Sequence, residues 1–108
     1  MDKISQPTRE LINEYEVRIS PIVLLQLQYL YEIQRVTEDA TTLIADLAPR
    51  IGLRVCDKDF SAVVSRALAL SWTRDLFDRL IVAHAGLHGN ILLSTDENVL
   101  AHYAHARW

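Results

Sequence analysis

Three aspartates supply most of the chemistry that this sequence can offer. Asp75 and Asp78 stand three residues apart within WTRDLFDRLIVAHA, residues 72 to 85. At that spacing both project from one face of the first turn of a helix. Val82 and the small Ala85 and Gly86 follow on the same face, so another backbone can approach it closely. Asp96 comes directly after ILLST, residues 91 to 95, an apolar run of the kind that a buried parallel strand carries. It therefore falls at the carboxyl end of a strand, where open α/β sheets place their ligands. Two or three carboxylates converging there suit a hard divalent cation. The plainer reading is capping: Asp75 and Asp96 are good helix N-caps, and the helix dipole favours Asp78 in a first turn. Cap and ligand roles can coexist in one residue.

Other polar groups give weaker signals. His84 and His88 are spaced i, i+4, but AGL between them lacks the glutamate of a zinc-protease helix. His102 and His105 carry less still. Arg74, Arg79 and Arg107 are candidates for phosphate contact and Trp72 for stacking on a base. Against this, Arg79 can pair with a carboxylate and both tryptophans can simply pack. Glu97 and Asn98 read first as solvent-facing, although Glu97 is close enough to Asp96 to assist a second metal. The lone Cys56 can form no internal disulfide and reads as a small core hydrophobe. No serine or cysteine triad and no glycine-rich phosphate loop is present.

The elements that must position the acids follow from periodicity. Ser5 and Pro7 open a short helix ending near Glu14, and VRIS, residues 17 to 20, reads as a strand. From Pro21 to about Arg35 the stripe Ile22, Leu25, Tyr29, Ile33 has helical spacing. Leu24, Leu27 and Tyr31 cover much of the remaining circumference, which predicts a helix buried on more than one side. Thr37 caps a third helix that stops at Gly52. LRVC, residues 53 to 56, is a second strand. Asp57 or Asp59 opens a helix through Leu68, another runs from Asp75 to about His88, residues 91 to 95 form the third strand, and Asp96 caps a last helix before an edge strand at HARW. Strands separated by helices predict an α/β fold with a parallel sheet.

Length and composition set the outer limits. At 108 residues, half of them hydrophobic, the chain predicts one domain. No apolar run is long enough to span a bilayer and the amino-terminal residues lack a signal core, so an intracellular, cytoplasmic protein without a membrane partner is expected. A formal charge of -3 argues against broad attraction to phosphate backbones, yet a carboxylate cluster that holds metal lowers net charge by itself.

DLFDRLIVAHA resembles the D-P-F-D-R-L-(I/L)-x-A-x-A segment of PIN domains, the fold of VapC-type toxin ribonucleases, and LLSTDE resembles their L-(L/V)-(S/T)-x-D strand end. ISPIVLLQLQYLYEI, residues 19 to 33, is similar to the strand and helix entry in which S-x-x-x-L-x-E carries a glutamate. The order of elements from about Ile4 to Trp108 agrees as well. The resemblance implies a three-layer α/β/α fold with a short parallel sheet. It also implies a four-acid site that binds Mg²⁺ or Mn²⁺ and cleaves RNA. In this chain Asp78 and Asp96 take two of those positions, with Asp75 adjacent. Gln26 stands at the glutamate position without its charge. The family's opening strand, which ends in an aspartate, has no counterpart before Met1, and no apolar run precedes Asp2, so a truncated or decayed member is expected. Strands left without a neighbour in turn predict a homodimer. Two functions follow from this: an endoribonuclease toxin with impaired activity, or a non-catalytic remnant that dimerises or binds an antitoxin-like peptide.

Overall fold

A computed structural model describes residues 5–108; Asp2 and Ile4 lie outside the described residues. The elements run α1 (Gln6–Glu14), β1 (Arg18–Ile19), α2 (Pro21–Glu32), α3 (Ala40–Ile51), β2 (Arg54–Val55), α4 (Phe60–Ala67), α5 (Leu76–Gly86), β3 (Leu92–Leu93), α6 (Glu97–His102) and β4 (Ala106–Arg107). The alternation of strands and helices is the expected α/β pattern. Each strand is two residues long, shorter than the sequence predicts. The chain divides into two compact units, one spanning Glu16–Asp57 and the other made of α1 and Lys58–Trp108.

Side-chain oxygens start every described helix. Ser5 accepts the amide hydrogen of Thr8, Ser20 that of Ile22, Asp39 that of Thr42 and Asp59 that of Ala62. Each satisfies one of the amides that a helix start leaves without a partner. Asp39, rather than Thr37, caps α3, because its carboxylate lies three residues ahead of the amide to be satisfied. Pro7 and Pro21 occupy first-turn positions where the missing N–H costs nothing. Helix ends are equally local. Gly52 and Gly89 both have φ +65°, the left-handed conformation that lets Leu53 reach back to Ala48 O at 3.1 Å and Asn90 to Ala85 O at 2.9 Å.

In the Glu16–Asp57 unit, β1 and β2 pair in parallel with Arg18 opposite Arg54. Like charges directly across a ladder repel. Glu16 offsets this by pairing with Arg18 at 3.2 Å and Arg54 at 3.5 Å. Helix α2 packs on α3, and Gln28 Oε1 accepts the amide hydrogen of Ala40 at 3.3 Å. Contrary to the expectation of a helix buried on more than one side, no residue of α2 is buried and Leu25, Tyr29 and Tyr31 are exposed. An apolar circumference needs neighbours all round, and α3 supplies one side only.

The other unit contains the better-formed core. Val63, Ala67 and Ala83 make one cluster, where α4 lies on α5, with Leu70, Leu80 and Leu87 against it. Val82, Val99 and Ala106 make a second, bordered by Leu70, Trp72, Leu92 and Tyr103. Thus α5 contributes to both clusters through adjacent residues on two sides. Strands β3 and β4 pair in parallel, Leu92 opposite Ala106 and Leu93 opposite Arg107. Two further contacts fix α5 at its ends. Lys58 Nζ donates to His84 O at 2.7 Å and to Asn90 Oδ1 at 2.6 Å. Arg79 donates through its guanidinium to Ala67 O at 2.8 Å and Leu68 O at 3.2 Å, closing the carboxyl end of α4.

Candidate functional site

Asp75 and Asp96 are held by the same local construction. The amide hydrogen of Asp75 is donated to Thr73 Oγ1 at 3.2 Å, and Asp75 Oδ1 accepts the amide hydrogen of Asp78 at 3.1 Å. The amide hydrogen of Asp96 is donated to Ser94 Oγ at 3.1 Å, and Asp96 Oδ1 accepts that of Val99 at 3.0 Å. A hydroxyl two residues ahead thus orients each aspartate, and the helix start fixes one carboxylate oxygen. Oδ2 of each remains available to a ligand. Thr73 and Ser94 escape a reading based on acids alone; the repeated pattern hydroxyl-x-Asp is the signal that marks them.

Asp78, in the first turn of α5, is half-buried, whereas Asp75 and Asp96 are exposed. Its carboxyl is pushed above the ordinary carboxylate range, first by burial, then by the negative charge of Asp75 and then by that of Asp96. Asp96 opens a different element, α6, and its charge is the smallest of the three influences on Asp78.

The remaining candidates are distributed otherwise. Gln26 is half-buried in α2, in the Glu16–Asp57 unit. Arg74 is exposed next to Asp75. Arg79 is engaged with the carbonyls that end α4, and Arg107 donates to Ala104 O and Ala106 O. His84 lies in the buried stretch Val82–Gly86 while His88 is exposed beyond the helix end, so the two share no face. Trp72 stacks on His102.

A family model described as PIN domain matches residues 2–106. The chain belongs to the PIN-domain family. No curated protein and no solved structure matches it. PIN domains are in general nucleases that depend on divalent metal, so nucleic acid is the class of partner that the family indicates. The fold agrees with a PIN domain in being α/β with short parallel strand pairs. No helix among the described residues is long and apolar enough to cross a membrane.

Whether the residues suit a cation can be judged from their donors. Asp78 and Asp96 present hard oxygens whose mutual repulsion a cation would relieve. Among the described residues no group of three or more His, Cys, Asp or Glu side chains is close enough to hold a metal. Mg²⁺ commonly keeps several waters and uses one or two carboxylates together with substrate phosphates. By donor type, the carboxylates of Asp78 and Asp96 suit that mode.

Proposed function

We propose that this PIN domain is an endoribonuclease dependent on Mg²⁺ or Mn²⁺, of the kind that serves as toxin in a toxin–antitoxin pair, acting in the cytoplasm with reduced turnover. Asp78 and Asp96 hold the cation and Asp75 assists, both by fixing the first turn of α5 and by adding negative charge. The observation that carries this reading is the half-buried Asp78, whose carboxyl is pushed up first by burial and then by the charges of Asp75 and Asp96, a cost that a bound cation would relieve. When bound, a divalent cation polarises a phosphoryl oxygen and makes coordinated water a better nucleophile. The toxin assignment rests on the likeness of DLFDRLIVAHA and LLSTDE to VapC-type segments. Reduced turnover follows from Gln26, which brings no charge to the position where that likeness puts a glutamate.

A second reading is a non-catalytic module that binds a copy of itself or an antitoxin-like peptide. The exposed Leu25, Tyr29 and Ile33, spaced by four along α2 and its carboxyl cap, favour it, since apolar surface on one face is typical of protein contact sites. A homodimer is compatible with either reading, and light scattering after size exclusion reports it directly.

The deciding experiment incubates mixed RNA with the protein and Mg²⁺ or Mn²⁺, with a chelator and with Asp96→Asn as controls. Metal-dependent cutting that the substitution abolishes is the expected result. RNA left intact under every condition removes the nuclease reading and leaves the binding module.

A further inference from the structure

The ring of His102 lies face to face with the indole of Trp72, the centroids 4.7 Å apart and the planes within 4° of parallel. Trp72 is half-buried and packs on the cluster of Val82, Val99 and Ala106. His102 is exposed. One face of the indole is therefore taken, and the open face of the stack belongs to the imidazole. His102 Nδ1 also lies 2.8 Å from Asn98 O. A carbonyl only accepts, so Nδ1 carries the hydrogen and the ring is fixed in orientation as well as position. A solvent-facing side chain held in this way has given up rotamer freedom that surface residues normally keep.

We propose that the outer face of His102 is a stacking platform for an unpaired nucleobase of the RNA. The inference rests on the nuclease reading and adds to it where the substrate is gripped. Single-stranded RNA is commonly recognised by stacking its bases on aromatic or histidine rings. The position suits such a grip, because His102 ends α6, which Asp96 opens, and at the rise of a helix the two lie roughly 9 Å apart along its axis. Trp72 precedes Asp75 by three residues. Both rings thus come from the two segments that carry the acids, and a base resting there brings its own phosphates towards them. Charge makes such a contact useful. With a net charge of -3 and acids at the site, the protein repels phosphate until a cation is present, whereas stacking on a π face is independent of charge sign. A base inside a duplex has no open face to offer, so the platform selects single strands.

Binding of a short single-stranded RNA is measured by fluorescence anisotropy in chelator, with each base in turn replaced by an abasic site, and cleavage of the intact RNA is followed in Mn²⁺. One abasic position is expected to cost wild type about tenfold in affinity. The same position costs His102→Ala nothing, and His102→Phe restores the dependence. A flat abasic profile in the wild-type protein overturns the platform and requires no variant to fold. So does a His102→Ala protein that loses affinity equally for intact and abasic RNA. Wild type that neither binds nor cuts RNA removes the nuclease reading itself; cutting with a flat profile removes only the platform.

Discussion

Asp75 stabilises the backbone of Asp78 and destabilises its side chain. Its Oδ1 accepts the Asp78 amide hydrogen at 3.1 Å, while its charge, after burial, holds the Asp78 carboxyl above the ordinary range. The helix start is therefore secure and the acid on it is strained. Only a proton or a cation relieves that strain.

Asp78→Asn is expected to raise the melting temperature at pH 7 in the absence of metal. A carboxyl whose folded pKa exceeds its unfolded value of about 3.9 favours folding when protonated. That contribution is complete below the unfolded value and is lost as pH rises through the folded one. The advantage of the variant over wild type must then shrink as pH falls towards 4. Thermal unfolding across that range checks the sign, and a lower melting temperature for the variant at pH 7 contradicts it. Cleavage should fall about a hundredfold or more with the same change.

Asp96→Asn and Asp96→Ala separate the cap from the ligand. Asparagine keeps an oxygen for the Val99 amide hydrogen, so it should cost little stability. Alanine removes the acceptor and should cost about 0.5–2 kcal/mol, or roughly 4–8 °C for each kcal/mol in a chain of this size. Both should abolish cleavage, and both should lose any thermal stabilisation by Mn²⁺. At a tenfold excess over Kd, that stabilisation should be about 1.4 kcal/mol for wild type.

Lys58→Met should destabilise by about 1.5–3 kcal/mol, because the ammonium holds both the His84 carbonyl and the Asn90 side chain. Denaturant midpoints report the loss. Cleavage per folded molecule should not change, as both of these contacts lie towards the carboxyl end of α5 and the acids at its start.

Arg74 and Arg79 should behave oppositely. Arg79→Ala frees the carbonyls of Ala67 and Leu68 and lowers stability. Arg74→Ala leaves stability alone and, if the side chain meets phosphate, reduces the slope of log affinity against log salt by about 0.7. A stable Arg79→Ala protein with a reduced slope would reverse the two roles.

Helix starts were the most legible part of the sequence, because a cap needs only a side-chain oxygen at a fixed offset. Asp75 and Asp96 are readable both as caps and as acids on that ground. Thr37 and Asp39 both satisfy the composition rule, and only the position of the Thr42 amide separates them. Strand lengths were less legible, since residues 91 to 95 carry strand propensity throughout while pairing is limited to Leu92 and Leu93. The covering of α2 was not legible at all: apolar residues all round state a need for neighbours without naming them. Thr73 and Ser94 stand in a legible hydroxyl-x-Asp pattern, but the bond from each aspartate amide to the hydroxyl depends on a rotamer that the residue type does not fix.

Every buried apolar side chain among the described residues is alanine or valine. An interior of that kind has little slack when a side chain grows: Ala83→Leu, at a position with no exposure, would cost about 1–3 kcal/mol through crowding. Sequence drift inside this protein is thus opposed in both directions, by cavities at the valines and by crowding at the alanines.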